Sequence, residues 1–501
     1  MNIIDNDQSK TKFFILLLLA YLTWIIAANC GTGDDTYWHI KVGEWIVDNK
    51  KVPSTGIFSY TAENFPWVSH EWLSAIFLYA TFSLTGWPGL VFLATFSITL
   101  TMCLLLNFLV KRISVNVSII FMLFAFFLLI PHIMPRPHIL ALPVMVYWTS
   151  QLITASENKT QPPYPLALIM ILWSNMHGSF VVGIAFVLFF AAESVFATDD
   201  HPLRTTLLKH WLLFLLLTLA ATLITPHGIN GLLLPFQLTN QTYITDIVGE
   251  WLSPNFHGFE PLEFWILGFI ALSLHKGLKL PLFRLIFLLG LIHLSLKSVR
   301  FSTDLLSFLS PLILATSFSK QLNTPANFSF NSLYPKNIKQ WLAIGLYLAA
   351  LIAYLPTRTI ESKQSTQIAK VLTALQQEKT VLGNVFNSYD LSVYLIHFNY
   401  PVFIDSRAEL YGDPFLKKYF TTIRLEKGAK PLLNLIKDSN ISWTVFETKL
   451  PINTLLGERP EWRQIYSDKY FTIYLTASKD ISDSTKLELK KIKDSLPKED
   501  S

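Results

Sequence analysis

The sequence predicts a polytopic α-helical membrane protein of about eleven crossings followed by a small soluble α/β domain, on three observations. Hydrophobic residues make up 51% of the 501 positions and charged residues only 15%, against about 25% charged in ordinary soluble domains. The apolar residues are gathered into long runs divided by short polar breaks. From about Thr357 the runs give way to short alternating stretches bounded by turn residues, the pattern of strands and helices in a soluble fold.

The runs cover 13–30, 72–84, 88–110, 117–131, 138–153, 165–176, 179–197, 207–225, 261–275, 281–296, 302–318 and 340–356. Phe13–Cys30 is long enough to cross a bilayer at about 1.5 Å per residue, whereas the shorter runs must tilt, extend or lean on neighbours. Lys10 and Lys12 resemble the basic start of a signal peptide, but Asn29 before Cys30 makes a poor lipoprotein-type cleavage site, so an uncleaved anchor is expected. With the N-terminus inside and 72–84 a half-membrane or surface helix, Lys111-Arg112, Lys159, Arg204 with Lys209, Lys276-Lys279-Arg284 and Lys320-Lys336-Lys339 all fall inside. The net charge of +5 is spent in these clusters, which speaks against a nucleic-acid partner. Two cysteines, Cys30 and Cys103, allow no disulfide framework and no zinc pattern.

The same topology collects the other polar breaks on the outer side. These are Arg136-Pro137-His138, Trp173–Gly178 with His177, Thr225–Gly228, Gly249–Pro254 with Glu250, and Lys297–Arg300. Seven of the twelve histidines (39, 70, 132, 138, 177, 227 and 257) lie there. Ionisable groups at membrane depth cost a few kcal/mol each, so their gathering points to a shared polar site. Each break also has a plainer reading, because Pro and Gly end helices and His can satisfy a carbonyl.

The first outward loop, 31–72, carries the densest chemistry. Asp34 and Asp35 open a helix at Tyr37–Asp48 right after the first span, and one carboxylate is enough to cap it. Tyr37, Trp38, Val42, Trp45 and Ile46 form an apolar face suited to the membrane surface. Asp35-Thr36-Tyr37-Trp38-His39 resembles the Asp-Pro-Tyr-Tyr-His stretch of oligosaccharyltransferase catalytic subunits, members of the GT-C superfamily of membrane glycosyltransferases. The block through His70-Glu71-Trp72-Leu73 is similar to a group of bacterial GT-C-like membrane proteins, which carry an Asp where this chain has Gly56. The resemblance implies a GT-C-like membrane domain over 1–356, a lipid-phosphate sugar donor, and Asp35 as the base or acceptor-orienting group, with Asp34 second.

In the soluble domain, 357–478, strands are expected at Thr380–Phe386, Pro401–Asp405, Ile441–Glu447, Trp462–Tyr466 and Tyr470–Leu475. Helices are expected at Tyr389–His397, Phe415–Thr422 and Pro431–Asp438, and a charged tail, helical or disordered, at 479–501. Asp390 stands at a strand-to-helix junction and Arg407 in an acidic-basic cluster after Asp405; both are candidate substrate contacts, with capping and salt bridging as the plainer alternatives. The stretch Asn387–Tyr394 occupies the place of the Trp-Trp-Asp-Tyr-Gly motif of oligosaccharyltransferases. The Trp pair is missing and Ser392 stands where Gly is expected, so sequon-directed protein glycosylation is not supported.

Such a transferase needs a carboxylate to take the acceptor's proton and positive charge where the leaving phosphate gains negative charge. Arg136, His177 and Arg300 are the candidate phosphate contacts, Arg being suited to bidentate binding of phosphate oxygens. His39, Trp38 and His138 complete the candidate substrate-binding set. Asp35, Glu250 and Glu71 offer carboxylate oxygens to Mg²⁺ or Mn²⁺, although no spacing demands a metal. The partners expected are a lipid-linked sugar donor, a glycan, lipid or protein acceptor, and membrane lipids, in a bacterial inner membrane with the soluble domain periplasmic. Two other readings stay open: a transporter or flippase with outward-facing helix breaks, and a catalytically inactive GT-C relative acting in envelope glycan assembly.

Overall fold

The computed structural model describes residues 2–31, 34–239, 241–321, 338–355 and 362–496. Gly33, the side chain of Asp34, Lys336 and most of the linker 319–339 lie outside the described residues. The chain forms two compact units, one of Met1–Gly31, Thr81–Pro235 and Thr245–Arg358, the other of Thr32–Ala80, Phe236–Ile244 and Thr359–Ser501.

The first unit is helical, and the protein is a multi-pass membrane protein. Among the described residues five helices are long and apolar enough to cross a bilayer: Trp72–Val110, Val115–His132, Pro137–Glu157, His201–Thr222 and Val299–Ser319. The last is 89% buried over its apolar window and the fourth only 33%, so Val299–Ser319 is central and His201–Thr222 peripheral. Ser302, Thr303, Ser307, Ser310 and Ala315 are buried along the central helix, small residues that let neighbouring backbones approach without an aqueous driving force. Another close crossing sits at Gly183, where an added Cβ would fall 2.5 Å from the Trp173 ring and whose carbonyl accepts the Trp148 indole N–H at 3.1 Å. The runs 72–84 and 88–110 are joined in one helical stretch that breaks at Gly86, with φ +65°, just before Pro88.

Helix Pro137–Glu157 carries His138 in its first turn and Glu157 in its last. Those residues are about 29 Å apart along the axis at 1.5 Å per residue, close to the thickness of a hydrocarbon core. Each end of the unit is polar. At the Glu157 end Arg284 bridges Glu157 at 3.0 Å and Glu193 at 2.8 Å, and Arg112 meets Glu157 at 2.9 Å. The His138 end holds the candidate site.

The second unit is built on a four-stranded sheet of order β1-β2-β4-β3, with β1 Asn384–Asn387, β2 Ile441–Glu447, β3 Trp462–Ser467 and β4 Phe471–Thr476. β1 and β2 run parallel and the other pairs antiparallel. Phe386, Trp443, Phe446 and Phe471 fill its core. The stretch Thr380–Leu382, expected as the start of a strand, is helical, and only 384–387 pairs. Pro401–Asp405 is not a sheet strand either. Its backbone is satisfied by the first loop: Val402 N–H donates to Phe58 and Tyr60 N–H to Val402, at 3.0 and 3.1 Å. The tail forms a helix, Asp483–Asp494, whose N-cap Ser482 accepts from Thr485 N–H and donates its own N–H to Glu378 at 3.0 Å.

The first loop belongs to this second unit. Helix Asp34–Asn49 packs on helix Ser392–His397, with Tyr37 edge-on to Tyr394 at 4.9 Å and to His397 at 5.1 Å. Tyr37 is buried in this contact, and Val42 and Ile46, also expected on the membrane surface, are buried in the protein as well. An apolar stripe specifies burial but not the partner, and here protein supplies it.

Candidate functional site

Four chain segments bring their polar residues together at the His138 end of the first unit. The turn Ile130–His132 and the N-terminus of the next helix, started by Pro137, present His132, Arg136 and His138. The turn Gly249–Trp251 presents Glu250 and is pinned to the junction at 298, where Ser298 Oγ donates to Glu250 O at 2.8 Å and Val299 N–H to Leu252 O at 3.0 Å. His177 ends helix Ala167–Met176. Arg300 leads into a π-helical segment, Ser302–Leu306, which carries Asp304. Such π segments recur at functional sites.

Arg136 forms an ion pair with Glu250. His132 lies between two carboxylates, its Nδ1 3.2 Å from Asp304 Oδ1 and its Nε2 3.7 Å from Glu250 Oε1. Arg300 sits 3.9 Å from Asp304, donates to His177 Nε2 at 3.1 Å and lies over the Trp251 ring. His138 stacks on His132 with ring centres 4.7 Å apart. Burial alone would raise the carboxyl of Glu250, but the hydrogen bond to His132 and the charges of Arg136 and Arg300 outweigh it and hold that carboxyl well below the usual carboxylate range. The sequence nominated Arg136, His138, His177, Glu250 and Arg300 from four breaks, and they meet in one cluster. It overlooked Asp304, a lone carboxylate inside an apolar run, although intramembrane charge is itself the signal that finds such a residue.

The remaining candidates lie in the second unit. Asp35 is in the first turn of its helix, where the backbone dipole favours a carboxylate, and it accepts from the Trp38 indole at 3.1 Å. Trp38 stacks on buried His39 at 3.6 Å and meets Trp67 edge-on. Glu71 faces His39 at 3.5 Å and His70 at 3.6 Å, so the two ends of the loop close on each other. Arg407, expected at a substrate contact, is instead fully buried, forked onto Asp405 at 2.9 and 2.7 Å and lying over Trp67 at 4.4 Å. It clasps the first loop to the segment that ends at Asp405, because a buried guanidinium is tolerated only when paired. Asp390 is exposed, and at that junction Ser388 Oγ receives the N–H groups of Asp390 and Leu391.

The carboxylates nominated for Mg²⁺ or Mn²⁺ thus have basic neighbours, Glu250 in Arg136 and His132, Glu71 in His39 and His70. Gly56, where relatives are expected to carry Asp, has no room for a side chain: a Cβ there would lie 2.2 Å from the Ala62 carbonyl oxygen.

No protein-family model and no curated protein sequence matches the chain. Solved structures do. The oligosaccharyltransferase of Archaeoglobus fulgidus in its apo form superposes with a TM-score of 0.55 at 10% identity, over 87% of this chain and 69% of that one. ArnT from Cupriavidus metallidurans bound to undecaprenyl phosphate gives 0.50 at 14% identity, over 92% and 97%. The chain thus shares the fold of these two GT-C proteins.

Proposed function

We propose that this protein is a membrane glycosyltransferase that takes a sugar from a polyprenyl-phosphate-type donor and passes it to a cell-envelope acceptor on the outer face of a bacterial inner membrane. The observation that carries this reading is the cluster of half-buried Arg136 and Arg300 with buried His177 at one end of a GT-C bundle. Two guanidiniums held by carboxylates and a histidine are suited to meet the phosphate on which negative charge builds as the glycosidic bond breaks. The lipid in the ArnT structure supports a polyprenyl phosphate as the donor class. The donor's apolar chain would lie against helices, which explains a catalyst embedded in a membrane.

Asp35 is our candidate for the group that takes the acceptor's proton or orients it, with Asp34 second, and Trp38 and His39 support it from the same helix face. A divalent ion, when bound, would supply Lewis-acid stabilisation of the leaving phosphate. The acceptor class, whether glycan, lipid or protein, is open within this proposal.

Mass spectrometry of lipid-linked sugars and envelope glycans, with and without the gene, identifies donor and product. In that assay Asp35→Asn should lower transfer at least about a hundredfold, since general-base catalysis supplies about 10²–10⁴-fold. Asp34→Asn should cost less. Asn starts a helix about as well as Asp, so folding should survive both changes. Wild-type transfer by Asp35→Asn would remove it from the mechanism and favour an inactive partner or a transporter, and an unchanged glycan profile without the gene would refute the reading.

A further inference from the structure

We infer that His132, His138 and Asp304 form a binding site for one divalent transition-metal ion of the zinc class, distinct from the carboxylate set that the sequence suggested for Mg²⁺ or Mn²⁺. Each residue offers one ligand atom, and these atoms lie within 4.8 Å of one another with all three side chains buried. Tetrahedral ligands at about 2.1 Å from an ion stand about 3.4 Å apart, so closing the site takes movements of about an ångström. The three come from different elements: the end of the helix running to His132, the first turn of the helix from Pro137, and the π-helical segment 302–306.

A second observation points to a ligand. His138 Nε2 is buried and has no hydrogen-bond partner among the described residues. An imidazole nitrogen left in that state carries a desolvation cost that a bound cation would relieve. The surroundings also fit. The second nitrogen of His132 faces Glu250 at 3.7 Å, the carboxylate–histidine arrangement that orients a metal-bound imidazole and raises its basicity. Thr303 Oγ1 donates to Asp304 Oδ1 at 3.2 Å, which helps to hold that ligand in place.

Two imidazoles and one carboxylate select against the hard ions. Mg²⁺ wants near-octahedral oxygen and keeps its waters, whereas Zn²⁺ and Co²⁺ accept nitrogen. Arg136 and Arg300 oppose a further cation, but Glu250 and Asp304 stand beside them and offset their charge. With three protein ligands, a fourth position would stay open, as in catalytic rather than structural sites. The inference rests on the proposed site for its meaning in the reaction, but its test needs no substrate.

The experiment uses the full chain purified in detergent, stripped with chelator and reloaded with Zn²⁺ or Co²⁺. Elemental analysis after gel filtration should give one ion per chain, and Co²⁺ should show visible d–d absorption that excess Mg²⁺ does not abolish. His138→Gln and Asp304→Asn should each weaken binding at least about tenfold, and His257→Gln should leave it unchanged. Because His138 is buried, X-ray absorption on Zn²⁺-loaded wild-type protein provides a reading without a variant, and it should show two imidazole ligands. A wild-type chain that retains no ion, a spectrum without imidazole scattering, or undiminished binding in both folded variants would overturn the site. Sugar transfer is measured separately, so a metal-free chain that still transfers would refute the ion and leave the glycosyltransferase reading standing.

Discussion

His397 is the residue in the second unit whose ionisation the fold resists most plainly. Burial, with Lys41 nearby, lowers it from the ordinary 6.5 to about 4, and Tyr37 and Phe398 enclose its ring. The folded state therefore keeps it neutral while the unfolded chain takes a proton below about pH 6.5. Stability from this group is complete above that pH, falls as pH drops towards 4, and changes no further below it. The full effect is at most about 3 kcal/mol, at 1.36 kcal/mol per pH unit. Unfolding midpoints measured across pH 4–7 should fall more steeply for wild type than for His397→Phe, and parallel curves would refute the assignment. His397 was not singled out from the sequence, since nothing local distinguishes a His that ends a short helix from a solvated one. Its partner Tyr37 lies some 360 residues away, by the separation of the two numbers.

At the scale of elements, glycines record where helices and loops touch. A Cβ on Gly43 would stand 2.1 Å from the Ala75 carbonyl and 2.6 Å from Tyr79 Cβ, so helix Asp34–Asn49 lies directly against the start of the helix from Trp72. Ala is the better helix former by about 1 kcal/mol, but forcing atoms into backbone contact costs about 1–3 kcal/mol. The collision should win. Gly43→Ala is expected to lower the thermal midpoint, and an unchanged or raised midpoint would mean that the helices part freely. Gly56→Asp should behave alike, loosening the loop by its clash with Ala62 rather than creating a second acidic position.

At the scale of the molecule, the first unit carries a polar cluster at each end of its helices. Arg284 is buried between Glu157 and Glu193, and Arg284→Met would leave two carboxylates short of a partner. Removing one member of a buried ion pair costs about 3–5 kcal/mol, which should appear as loss of the folded, monodisperse protein in detergent. Recovery of stability on adding Glu193→Gln would support the pairing, and normal stability of the single variant would deny it. Charge placement further predicts that Lys111→Cys resists an impermeant thiol reagent applied to intact cells while His257→Cys is labelled. The reverse pattern would invert the topology.

Much of this could be read from residues in order, because hydrophobic runs and charge clusters are local properties. The apolar helices, the strands at 441–447 and 471–475, and the polar breaks at Arg136, His177, Glu250 and Arg300 were legible in that way. What lay beyond the sequence was partnership. Asp304 reads as one charge in an apolar run until a π-helical turn sets it against His132. Pro401–Asp405 reads as a strand because its residues favour one, yet Phe58 and Tyr60 of a loop more than 300 residues earlier take its hydrogen bonds. An apolar stripe or a charged side chain states in sequence only that it needs burial or a counter-charge. Which group answers it is settled when chain segments remote in sequence pack together, and that choice belongs to the tertiary structure alone.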